Sequence, residues 1–369
     1  MIYHLLPEKE AFSAFRGGAV AKDIANIMRF DDSRIVVCGD SDSTWGYEPH
    51  RILMIPEIRS FARLHRSRSA FPAWSTNSFF RRAFRPLLAR LRTGDIVWCH
   101  SQPAFCAALD QSIHAKNAKL VYHSHSSLAP WFKRLKFRLF EPDAAIFVSD
   151  FMRRETLRYL PLLRNTHVVH NGADNGLFYP SSEESSRTTP LVLYVGRLHR
   201  TKGVHVLVAA MKILQERGVA VQGKVVGSSF SGGSKVTSYA RSLVKLSPSN
   251  VQFAGYRSAR EIADEYRSAD ILCCPSIWQE PFGNVNIEAM ACGIPVVATR
   301  VGGVPEIAAD GGVLLVEPNS PVELADALQL LIENRQLRAK LAAEGLASFR
   351  SHFTWDIIYA HYRRITESI

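Results

Sequence analysis

The chain has 369 residues, 47% of them hydrophobic and 21% charged, with a net charge of +11. That length is natural for two domains, and no run approaches the roughly 18 uninterrupted apolar residues of a spanning helix. The start, MIYHLLPEKEAF, lacks a basic leader and a long apolar core, so it does not read as a secretion signal.

In chain order, the run from Ile2 to Leu6 predicts a strand, and FRGGAVAKDIANIM predicts a glycine turn feeding a helix. Gly17 and Gly18 at that turn either make an ordinary tight turn or let backbone N–H groups approach a diphosphate. IVVCGD, ILMIP, DIVWCHS, LVYHSHS, AAIFVSD and THVVHNG recur as short β-type runs with helical stretches between some of them. LVYHSHS ends in His123 and His125, which alternation puts on one side if the strand persists. Either can be a satisfied core histidine. His125 is the site candidate, with His123 and then His100 behind it.

PSSEESSRTTP (180–190) is polar and bounded by prolines, and it reads as a hinge between domains 1–180 and 181–351. The alternation then restarts with LVLYVGRL, QGKVVGS, VQFAGY, ILCCPS, PVVAT and GVLLV. VHVLVAAMKILQERG is an amphipathic helix ending at Gly218, and the last segment, FTWDIIYAHYRRITESI, is amphipathic and helical. Strands alternating with helices imply an α/β fold of two Rossmann-like, doubly wound parallel sheets. Ligands of such sheets bind beyond the carboxyl ends of the strands.

Those ends carry the chemistry. GRLHRTKG places Gly196, Arg197 and Lys202 after a strand, a glycine-bounded turn with two fixed cations. About eighty residues later, EPFGNVNIE brackets a loop-to-helix junction with Glu280 and Glu288. Pro281 fixes the turn, and the helix start at Phe282, Gly283 and Asn284 offers free N–H groups to phosphate oxygens. Gly227 lies at a further strand end, and Tyr256 at another can stack on a base or sit in an exposed turn. Singly, these would be surface ion pairs and a capping glutamate. Together they suit a ligand with hydroxyls and a departing diphosphate, whose growing charge needs cations.

The pair of motifs, with EAMACGIPVVAT and VGGVPEI after them and VSDFM and VVHNGADNGLFYP before, resembles the retaining glycosyltransferases of family four. The pattern is closest to bacterial surface-polysaccharide and spore-coat-type transferases. The resemblance implies the GT-B architecture, two Rossmann-like domains facing a central cleft, with helix 352–369 returning to the first domain. It implies a hexosyl transfer from a nucleotide sugar, a UDP-sugar first and a GDP-sugar second, with no cofactor and no metal. Arg197 and Lys202 would meet the diphosphate, Glu280 the transferred sugar and Glu288 the ribose. His125 would lie near the sugar and acceptor, Gly17 and Gly18 near the donor phosphates, and Tyr256 near the base. The competing functions are a nucleotide-sugar epimerase of the same fold and a non-enzymatic basic binding protein.

Charge is uneven: residues 1–180 carry 25 Lys+Arg against 16 Asp+Glu, and residues 181–369 carry 20 against 18. Nine arginines and no acid lie between Glu57 and Asp95, and WFKRLKFRLF (131–140) interleaves four cations with aromatic and leucine side chains. A solvated surface and a nucleic-acid surface compete with an anionic membrane face; no nucleic-acid motif accompanies the charge. The favoured partners are therefore a nucleotide-sugar donor, a glycan or lipid-linked glycan acceptor, and an anionic membrane surface, with no nucleic acid. Six cysteines without metal-type spacing read as buried reduced thiols, which fits a cytoplasmic protein peripheral on the inner membrane face.

Overall fold

The computed structural model describes residues 1–13, 18–42, 46–59, 81–128, 140–182, 187–229 and 236–369. Gly17, Trp131, Phe132 and the four cations of 133–138 lie outside the described residues, as does 60–80 of the arginine-rich stretch.

Two compact units divide the chain, one of Met1–His170 with Tyr359–Ile369 and one of Asn171–Ile358. The first holds β1 (Ile2–Leu5), β2 (Arg34–Cys38), β3 (Ile52–Met54), β4 (Ile96–His100), β5 (Lys119–Ser124), β6 (Ala144–Phe147) and β7 (Thr166–Val168). Their order is β3-β2-β1-β4-β5-β6-β7, and every neighbouring pair is parallel. The second holds β8 (Leu191–Val195), β9 (Gln222–Val226), β10 (Val251–Gly255), β11 (Ile271–Cys274), β12 (Val296–Thr299) and β13 (Val313–Val316). These run β10-β9-β8-β11-β12-β13, again all parallel. The strand order turns back between β1 and β4 in one sheet and between β8 and β11 in the other. At such a reversal the flanking loops diverge and leave a crevice at the carboxyl ends.

Burial follows from covering both faces of a parallel sheet. β1, β2, β4, β6, β8, β11 and β12 are buried at every position, whereas the edge strand β10 is partly exposed throughout. Helix Val204–Glu216 turns Val204, Leu207, Val208, Met211 and Leu214 inward, the 3.6-residue spacing of a core-facing stripe. It ends two residues before Gly218, whose φ of +73° closes the helix. All six cysteines are free and buried.

The passage from one unit to the other falls at His170–Asn171, ahead of the 180–190 stretch. Contacts explain this: Ala173 N–H donates to Phe353 O at 2.9 Å, and Arg267 Nη1 donates to Leu177 O at 3.1 Å. Residues 171–178 are thereby tied to the second unit. The last helix, Trp355–Glu367, belongs to both units. Its Trp355 leaves no room for a side chain at Gly172, while Tyr362 packs edge-on against Trp98 with ring centroids 5.3 Å apart. Among the described residues, no helix is long and apolar enough to cross a membrane.

Candidate active site

In the second unit the two motif segments meet. Arg200–Lys202 forms a 3-10 turn after β8, and Gly203 follows at a φ of +69°. A Cβ on Gly203 would stand 1.7 Å from the Pro275 carbonyl oxygen, so only glycine lets this turn dock on the loop after β11. Ile277 N–H donates to Thr201 O at 2.9 Å and fixes the contact. Lys202 Nζ then donates to Glu280 Oε1 at 2.6 Å and lies 5.4 Å from the centre of the Trp278 ring.

Glu280 is only 5% exposed, and Ser276 Oγ donates to the same Oε1 at 2.6 Å. The neighbouring loop holds the backbone: Gly303 N–H donates to Glu280 O at 2.8 Å. Gly302, at a φ of +56°, would place a Cβ 1.9 Å from that same oxygen. Thus Lys202 and Glu280, 78 residues apart, form one ion pair at the point where the strand order reverses. An ammonium has three donors and a carboxylate about four lone-pair sites, so the pair retains hydrogen-bonding capacity for a ligand.

Gly196, Arg197, Gly227 and Tyr256 line one cavity of about 160 Å³ at the ends of β8, β9 and β10. The Tyr194 hydroxyl donates to Arg197 O at 2.9 Å, anchoring the backbone while the arginine side chain is exposed. Gly227 lies directly on the Gly196 carbonyl, and Tyr256 is half exposed. A larger cavity of about 680 Å³ opens at the amino ends of the strands, between Arg187, Asp270 and Arg338, and holds none of these motif residues.

Helix Asn284–Ala291 begins at Gly283. Asn284 Oδ1 accepts from Asn171 Nδ2 at 2.8 Å, and Glu288 Oε2 accepts from the buried Tyr266 hydroxyl at 2.9 Å. Phe282 was expected to offer its backbone N–H at this helix start, and the side chain it carries turns inward. Its side chain is 1% exposed and packs edge-on against Phe353, so only its backbone can face a ligand.

In the first unit, Gly18 caps helix Ala19–Ile27, and the Glu10 carboxylate occupies that helix start. Glu10 Oε2 accepts from Ala21 N–H at 2.9 Å, and a Cβ on Gly18 would meet Glu10 Oε1 at 2.6 Å. Burial raises the Glu10 carboxyl above its ordinary value, against the lowering pull of the Ala21 N–H and Lys22. The helix start beside Gly18 thus has an acceptor from within the chain.

His125 sits in a histidine cluster at the reversal between β1 and β4. Its Nε2 is 2.9 Å from His100 Nδ1, and its Nδ1 faces Asp23 Oδ2 at 3.7 Å. His100 Nε2 lies 3.0 Å from His4 Nδ1, and His4 Nε2 lies 2.9 Å from Arg34 Nη1. His123 packs on His125 with ring centroids 3.9 Å apart, its own ring nitrogens without hydrogen-bond partners. Burial lowers all four basicities, with help from Arg34 at His4 and from His125 at His100 and His123; His125 falls to about 3. These are neutral imidazoles. His100, His123 and His125 each place a nitrogen within 4.8 Å of the others, a spacing compatible with a metal ion.

Sequence reasoning missed Ser276, Trp278, Glu10, His4, Arg34 and Asp23. Ser276 and Trp278 stand beside a quoted motif, and His4 was visible as a lone histidine in an apolar strand. Glu10, Arg34 and Asp23 left no local signal.

Residues 178–347 match the family model for glycosyl transferases group 1, and residues 31–176 match that for glycosyltransferase family 4. A D-inositol 3-phosphate glycosyltransferase of Corynebacterium jeikeium is 41% identical over 205 residues, covering 51% of this chain and 48% of the relative. Spore coat protein SA of Bacillus subtilis is 28% identical over 230 residues, covering 57% of this chain and 61% of the relative. The matched stretches thus span about half to three fifths of these relatives. Anabaena HepE, solved in complex with UDP and glucose, superimposes with a TM-score of 0.74 at 20% identity, covering 100% of this chain and 99% of its own. That likeness is one of fold, the GT-B pair of parallel-sheet domains. The chain is thus a glycosyltransferase that joins a family 4 domain in its first half to a group 1 domain in its second.

Proposed function

We propose that this chain moves a hexosyl unit from a nucleotide diphosphate sugar to a hydroxyl of a bacterial glycan acceptor, with retention at the anomeric carbon. The observation that carries the reading is the Lys202–Glu280 contact, which joins two distant motif segments at the strand-order reversal of the second sheet. Arg197 and Lys202 neutralise the diphosphate as the bond from the anomeric carbon to its phosphate oxygen breaks, the demand that a fixed donor meets best. They do so without a metal. The acceptor oxygen attacks from the same face, and its proton passes to the departing phosphate. Glu280 holds the transferred sugar, Glu288 the ribose, Tyr256 the base, and His125 lies beside the sugar and acceptor.

The donor is a UDP-sugar in first place and a GDP-sugar in second; HepE, of the same fold, was solved with UDP and glucose. A lipopolysaccharide core, exopolysaccharide or lipid-linked glycan is the acceptor. The first half, with its excess of cations, sits on the anionic cytoplasmic face of the membrane. Product formation from a panel of nucleotide sugars, by wild type and Lys202→Ala, tests the reaction. Equal turnover by the two proteins would remove the leaving-group role. Sedimentation with liposomes that does not change with anionic lipid content would remove the membrane role.

A further inference from the structure

The histidine cluster of the first unit has the spacing of a metal site, yet its hydrogen bonds assign its nitrogens differently. An arginine guanidinium only donates. Arg34 Nη1, at 2.9 Å, therefore makes His4 Nε2 an acceptor, and Arg34 is itself held by Asp31 Oδ2 at 3.0 Å. A neutral imidazole carries one proton, so that of His4 sits on Nδ1 and points at His100 Nε2. His100 must then carry its proton on Nδ1, which points at His125 Nε2. His125 in turn carries its proton on Nδ1, facing Asp23 Oδ2.

We propose that Arg34 sets the tautomer of three successive histidines, His4, His100 and His125, and so delivers a fixed N–H from His125 toward Asp23. In this order no ring nitrogen of His100 is left for a metal, because Nδ1 donates and Nε2 accepts. A second proton on His125 would set an Nε2–H against the Nδ1–H of His100, and reversing the chain would set an N–H of His4 against Arg34. His125 is held neutral and in one orientation. It works as a fixed dipole and not as a proton-transfer group. Arg34, His4 and His100 are positioning residues that act through it. The functional part of this assignment rests on the transfer reading, which sets His125 beside the sugar; the tautomers themselves do not.

The test is a two-bond proton–nitrogen correlation spectrum of the full chain labelled at histidine nitrogen, which separates the two tautomers of each ring. His4, His100 and His125 are expected as Nδ1–H forms in the wild type, unchanged by added zinc. An Nε2–H form at any of the three, or zinc displacing these signals at one equivalent, would overturn the proposal. His100→Gln, whose amide can accept from His4 and donate to His125, should preserve the Nδ1–H signal of His125. His100→Leu should lose it to a mixture. In turnover, His100→Leu should lower kcat about tenfold or more at unchanged donor KM, and His100→Gln should restore it. A kcat equal in wild type and His100→Leu would overturn the positioning role. A wild type that turns over no nucleotide sugar would instead sink the transfer reading, while the spectrum still decides the tautomers.

Discussion

The two sheets handle polar groups at their strand-order reversals in opposite ways. At β8 and β11 an ammonium and a carboxylate are both kept, paired at 2.6 Å, with Lys202 partly open to solvent. At β1 and β4 the histidines are enclosed and kept neutral, and proton position along the chain replaces net charge. An ion pair can yield to a charged ligand because its partners can exchange one counter-charge for another. A chain of neutral imidazoles holds orientation instead and resists ionisation. The contrast separates a region able to respond to a diphosphate from one built to hold a shape.

The strongest way to break this comparison is acid. His4, His100, His123 and His125 all have folded values below 6.5, that of His125 at about 3. Between 6.5 and those values the unfolded chain takes up protons that the folded one refuses, so stability is full above 6.5 and falls as pH drops. Each histidine that stays neutral in the fold steepens that fall, by on the order of 1 kcal/mol per pH unit at most. Urea midpoints followed by circular dichroism should fall steeply between pH 6.5 and 5; a flat profile would mean that the rings already share protons.

Lys202→Ala comes next. It should lower kcat about 10² to 10³-fold. It should also cost about 3 kcal/mol of stability, because the buried Glu280 loses its counter-charge. Adding Glu280→Gln should recover most of that stability and none of the turnover. Recovery of both would reduce the pair to a structural strut. His123→Leu removes two buried ring nitrogens that lack partners and should raise stability by about 1 kcal/mol, read as a higher melting temperature. A loss would show that His123 supports the ring of His125. The smallest expected change is Glu10→Ala, which removes the acceptor at the first helix start and should cost about 1 kcal/mol.

Much of the fold was legible because parallel strands buried on both faces write themselves as short apolar runs, and helices such as Val204–Glu216 as a stripe. The agreement of GRLHRTKG with EPFGNVNIE pointed to one site, but their ion pair did not show. It depends on Gly203 meeting the Pro275 carbonyl, a contact between residues 72 apart that no local pattern encodes. Arg34 and Asp23 were illegible for the same reason. Each reads as an ordinary charged residue, and only the registers of β1 with β2 and β4 bring His4, Arg34 and His100 into line.

The last helix carries a consequence for biogenesis. Tyr362 closes over Trp98 and His123, yet it follows them in the chain by 264 and 239 residues. The half that is translated first thus waits for this much later helix before its interior is sealed. Until then its imidazoles stay open to water, and a polypeptide halted shortly before Tyr359 would expose that interior to proteases.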